Sequence, residues 1–104
     1  MPDFIFAYHG GKTPETQEAG QKAMAAWMAW FEGMGAAVKL PGNPVGLSKT
    51  VTDTGILDNG GANPISGYSV VSAANIGTAC DMAKGCPMVV DGSGSVEVAE
   101  IIDM

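Results

Sequence analysis

The sequence predicts an α+β fold, and three observations predict it. Short stretches near the start, middle and end alternate apolar residues with the period of a strand. Two other stretches space their apolar residues as a helix does, and glycine, proline and asparagine cluster between the elements. The elements read β-α-β-β-α-β along 104 residues, a length that fits a single domain over 1–104 with a modest core.

The first strand is 4–9, Phe-Ile-Phe-Ala-Tyr-His. Phe4, Phe6 and Tyr8 fall on one face and Ile5, Ala7 and His9 on the other, so both faces want cover. Gly10-Gly11 ends it. Thr13 is placed to cap a helix whose first residue is Pro14, with Glu15 and Glu18 at the positive end of its dipole. That helix runs to Met34 and stops at Gly35, its inward stripe being Ala19, Ala23, Ala26, Trp27, Trp30 and Met34. A short extended segment follows at 37–40, and 47–54 alternates as a strand with a polar face. The run Asp58-Asn59-Gly60-Gly61-Ala62-Asn63-Pro64 is a loop. The next strand is 67–73. Asn75 caps a second helix that ends at Gly85, with Pro87 beyond. The last strand is 95–102.

This order is the ferredoxin-like split motif, a four-stranded antiparallel sheet with two helices on one face. The opposite face is left open while its residues are apolar, which predicts a partner; sheet-to-sheet pairing as a homodimer covers it most simply. The alternative is a monomer whose 36–66 connection folds over the sheet.

Composition narrows the function. Eleven carboxylates oppose five lysines, with no arginine, for a formal charge of −6. That sign opposes nucleic-acid binding, and bidentate arginine recognition of an anion is absent from one chain. The longest apolar run, 23–31, is too short to span a membrane. The absence of a signal-like start and the presence of only two cysteines predict a cytoplasmic protein with reduced thiols. No metal site and no cofactor is expected: the 58–63 loop has one carboxylate and lacks calcium-loop spacing, and Gly92-Ser93-Gly94 precedes a strand rather than a helix.

Several segments, in this order and spacing, resemble the YCII-related (DGPF) family. They are the strand ending in Tyr8, the Trp27/Trp30 helix, Gly67-Tyr68-Ser69-Val70-Val71 before a helix, Ala83-Lys84-Gly85-Cys86-Pro87, and Ser95-Val96-Glu97-Val98. The resemblance spans essentially the whole chain and implies a ferredoxin-like domain assembled as a dimeric α/β barrel, without implying one activity. Two departures stand out. Asp58 to Ile65 occupies the place of the Asp-Gly-Pro-Phe signature. The first helix has no histidine, so the His–Asp pair proposed for some members does not carry over.

Few residues are left for chemistry. His9, the only histidine, ends the first strand, and the topology sets it beside the starts of the neighbouring strands, near Tyr68 and Glu97. His9 with Glu97 is therefore the candidate acid–base pair. Tyr8, Tyr68 and Trp27 are the candidate ligand-binding aromatics. Cys80, half-buried on its helix, and Cys86 at a helix C-terminus are poor nucleophiles. Three functions stay open. The first is binding of a small apolar or aromatic metabolite in a cleft by the sheet. The second is a lyase, isomerase or hydrolase built on His9 and Glu97, and the third is a regulatory protein-interaction module.

Overall fold

The computed structural model describes all residues, 1–104. Strand β1 (Asp3–Gly10), helix α1 (Gln17–Met34), strand β2 (Val38–Pro44), a hairpin of β3 (Thr50–Thr52) and β4 (Gly55–Leu57), strand β5 (Ile65–Ser72), helices α2 (Ile76–Ala83) and α3 (Pro87–Val90), and strand β6 (Gly94–Glu100) follow in order. The sheet is ordered β2-β5-β1-β6, with every pairing antiparallel. This is the ferredoxin-like arrangement that the sequence predicts.

Alternation along β1 sets the layers. Phe4, Phe6 and Tyr8 are buried beneath the helices with Val71 of β5, Ala79 and Ala83 of α2, Cys86 and Met88. Ile5, Ala7 and His9 face the other way and are only half-buried, since no element covers that side. The register carries the same face across the sheet: Ile5 lies between Val70 and Ala99, and Ala7 between Tyr68 and Glu97.

Several local expectations need correcting. Helix α1 starts three residues later than its predicted start, at Gln17: Thr16 rather than Thr13 is the cap, its hydroxyl accepting from the Ala19 N–H at 3.0 Å. Ala19 and Ala26 are exposed; Trp27, Trp30 and Met34 pack on the core, with Ala23 and Phe31 half-buried beside them. Trp30 stacks on Phe6 at 6.0 Å, and its ring N–H donates to the Met82 carbonyl at 3.0 Å, tying α1 to α2. The 47–54 segment shrinks to β3, which pairs only with β4 in a separate hairpin. Its Leu47, Val51, Ile56 and Leu57 are exposed. Two short segments with no third strand or helix against them have nothing to bury into. Strand β2 runs on through Pro41-Gly42 to Pro44 because it bulges there. Gly42 has a φ of +74°, and a Cβ would collide with the Tyr68 carbonyl, so only glycine fits. The last strand ends at Glu100, and Pro87 opens the unforeseen α3, with Cys86 at its N-cap.

Candidate functional site

The sheet separates the candidate residues into two groups. His9 and Glu97 lie on the uncovered face. His9 pairs with Ser95, two residues along from the Ala7–Glu97 pair and on the same face, which lets the two side chains meet diagonally. The His9 Nε2 lies 2.9 Å from Glu97 Oε1. The Nδ1 lies 2.9 Å from the Asn63 carbonyl and 3.2 Å from that of Pro64. Both ring nitrogens thus face oxygen acceptors, and donation to both at once takes the imidazolium form, while a neutral ring serves one side at a time. The imidazole is 12% exposed and the carboxylate 71%. In this arrangement His9 holds the 58–64 loop against β6, and neither nitrogen is free for a substrate. Tyr68 shares this face, across Ala7 from Glu97.

Tyr8 and Trp27 lie on the covered face. Their rings meet edge to face at 5.0 Å, and Trp27 continues onto Trp30 and Phe31. The Tyr8 hydroxyl donates to Ser69 Oγ at 2.6 Å, and Ser69 donates in turn to the Pro41 carbonyl at 2.6 Å. Burial pushes the phenol well above its ordinary ionisation range, so Tyr8 is a neutral donor with a fixed recipient. This relay is a feature that the sequence reading overlooks. The signal is Ser69 itself, a small polar residue in phase with apolar Val71 on the core face.

Helix α1 has no buried residue. Its N-terminal half stands off the sheet and leaves a cleft of about 1350 Å³. Tyr8, Trp27, Phe31 and Met88 give it aromatic and thioether walls, Gly67 and Tyr68 belong to the sheet side, and Lys12 and Asp91 line it too. Phe31 escapes sequence reasoning because helical spacing marks it as core, and Met88 because it lies in the unforeseen α3. Lys12 Nζ sits 4.0 Å from Asp91 Oδ2. Hydrogen bonds from the Ser93 side chain and backbone hold the Asp91 carboxyl below the usual carboxylate range. Tyr8 and Trp27 line the cleft, and so does Tyr68 although its strand position alternates onto the face of His9 and Glu97; those two are outside it.

No three metal-ligating side chains converge anywhere in the chain. Asp58 pairs with Lys49 at 2.9 Å, and Asn59 Oδ1 accepts from the Gly61 N–H at 2.9 Å, an ordinary turn. Cys80 is exposed rather than half-buried, and Cys86 is buried with its thiol pushed up by desolvation. No helix is long and apolar enough to cross a membrane.

No family model matches the chain, and no curated protein matches it. Among solved structures it is similar to 5-chloro-2-hydroxyhydroquinone dehydrochlorinase (TftG) from Burkholderia phenoliruptrix AC1100, in complex with 2,5-dihydroxybenzoquinone. Identity is 16% and the TM-score 0.60, over 100% of this chain and 96% of that one. At that identity the likeness establishes a shared fold, the ferredoxin-like topology.

Proposed function

We propose that the protein binds a small planar aromatic molecule in the cleft between α1 and the sheet. The observation that carries this reading is the cleft itself, walled by Tyr8, Trp27, Phe31 and Met88. Ligand sites are typically concave and mostly apolar with a few polar groups, and this cleft has that character. The ring faces favour a flat partner. The fold neighbour supplies a concrete candidate class, since it holds 2,5-dihydroxybenzoquinone. We further propose that the chain is a cytoplasmic YCII-related protein acting as a sheet-to-sheet homodimer, with Ile5, Ala7 and Val70 at the centre of the contact. The order and spacing of the family-like segments and the apolar uncovered face support this.

Thermal unfolding with 2,5-dihydroxybenzoquinone and related hydroxylated aromatics tests the binding. A ligand at a hundred times its dissociation constant adds about 2.7 kcal/mol, a rise of roughly 10 °C or more in a domain this small. A diverse set of such rings that leaves the midpoint unmoved overturns the reading.

The 2.9 Å contact between His9 and Glu97 favours a second reading, an enzyme that uses the pair as acid and base. It requires the 58–64 loop to release one imidazole nitrogen. With the neighbour's substrate, 5-chloro-2-hydroxyhydroquinone, chloride release by the wild type that His9→Gln abolishes supports catalysis. Equal release by both variants rejects it.

A further inference from the structure

The interior polar side chains are paired with one exception. Tyr8 donates to Ser69, Ser69 to Pro41, Trp30 to Met82, and His9 faces Glu97 and Asn63. Ser66 Oγ alone is buried without a hydrogen-bond partner. It lies where the β1–β5 register slips between Tyr8 and His9, so Ser66 has no β1 residue opposite it. Its backbone carbonyl is occupied, accepting from the Val45 N–H at 3.0 Å, which leaves the hydroxyl as the unspent group. Ser66 is also one of the residues lining the cleft, with Tyr68, Asn43 and Pro44.

A buried hydroxyl without a partner is unfavourable, and native interiors rarely keep one. A serine side chain has three staggered positions, so rotation about one bond re-aims the oxygen, and Ser66 sits at the register slip, beside core-facing Gly67, where strict alternation is broken. A hydroxyl both donates and accepts, so it can meet a quinone carbonyl or a phenolic O–H equally well. We propose that Ser66 Oγ is the specificity-determining partner of an oxygen substituent on the aromatic ring bound in the cleft. The proposal rests on the cleft reading and sharpens it: the ligand class becomes phenols and quinones, and plain hydrocarbons are disfavoured.

The test compares p-cresol with toluene, rings of similar size that differ by one hydroxyl, by calorimetry or ligand-observed NMR. Wild-type protein is expected to bind p-cresol more tightly than toluene. Ser66→Ala is expected to weaken p-cresol about fivefold to tenfold and leave toluene unchanged, as loss of one hydrogen bond would. Ser66→Thr, which keeps the hydroxyl, is expected to stay within about twofold of wild type for p-cresol, and a thermal melt of each variant checks folding. Ala23→Phe, which fills the cleft, is expected to weaken both probes. If Ala23→Phe weakens both but Ser66→Ala changes neither, or changes both alike, the Ser66 assignment is overturned while the cleft reading stands. If neither probe binds, or Ala23→Phe has no effect, the cleft reading fails and the Ser66 assignment falls with it.

Discussion

Tyr8 shows how one side chain ties the sheet edge together. Its ring packs on Trp27 while its hydroxyl reaches Ser69 and, through it, the Pro41 bulge on β2. Tyr8→Phe removes a donor but leaves Ser69 bound to Pro41, and is expected to cost about 1 kcal/mol. Ser69→Ala strands both the Tyr8 hydroxyl and the Pro41 carbonyl, and is expected to cost about 2–3 kcal/mol. Urea denaturation of the two variants measures the difference, and equal losses would contradict the relay. The raised ionisation of Tyr8 also fixes a pH dependence. Because the folded phenol ionises above its unfolded value near pH 10, its stability contribution is complete below that pH. It is lost as pH rises beyond, because the unfolded chain releases the proton first. Tyr8→Phe should abolish that part of the alkaline loss. The phase of Tyr8 was legible from alternation with Phe4 and Phe6; the relay from Tyr8 through Ser69 to the Pro41 carbonyl was not, because the Gly42 bulge beside Pro41 is a tertiary feature.

At the scale of elements, the strands and α2 were the most legible. Asn75 caps α2 as its side chain predicts, accepting from the Thr78 N–H at 2.9 Å. Meeting of His9 with Glu97 was readable too, since strand order and alternation alone put both on one face at one end. Alternation could not say which of β1's two apolar faces the helices would cover, and that choice separates His9 from Tyr8 and Trp27. The start of α1 was placed too early because Thr13 before Pro14 and Glu15 carries a cap signal, while the structure uses Thr16 before Gln17 and Glu18. The β3–β4 hairpin has Thr50–Leu57 and Thr52–Gly55 as its end pairs and pairs with no strand of the main sheet, its Thr50 hydroxyl donating to the Asn59 carbonyl of the next loop at 2.7 Å. Replacing residues 49–58 by a two-glycine turn should therefore leave the far-ultraviolet spectrum's main features and the melting midpoint within a few degrees. A collapse of the fold would show that the hairpin supports the sheet. The far end of the 58–64 loop is held by His9, at the Asn63 and Pro64 carbonyls. His9→Ala should raise hydrogen exchange and protease cleavage within 58–64 without a matching rise in β1. Glu97→Gln should have the smaller effect, below about 1 kcal/mol, as expected for a mostly exposed partner. Unchanged protection of the loop in His9→Ala would remove the clamp from this account.

The whole molecule is a slab of 44 × 43 × 20 Å, one helix layer on one sheet layer. Its radius of gyration is 14.8 Å, against about 13 Å for a compact chain of this length. Only 11 of 104 residues are buried, and Ile5, Ala7 and Val70 face outward from the sheet. The proposed pairing with a second copy would cover that face. Sedimentation at micromolar concentration should find a dimer that Val70→Asp converts to a folded monomer; a wild-type monomer would refute the pairing. The net negative charge and the missing arginine acquire a structural meaning here. The cleft has Lys12 and Lys22 as its only cations, with Glu15 and Asp91 beside them, so a flat, weakly charged ring suits it better than a polyanion. The most direct test is calorimetric titration of 2,5-dihydroxybenzoquinone into the wild type and into Ala23→Phe. Saturable binding at one molecule per chain, lost when Phe fills the cleft, is the predicted result. Absence of binding to the wild type, or binding that Ala23→Phe leaves undiminished, would contradict it.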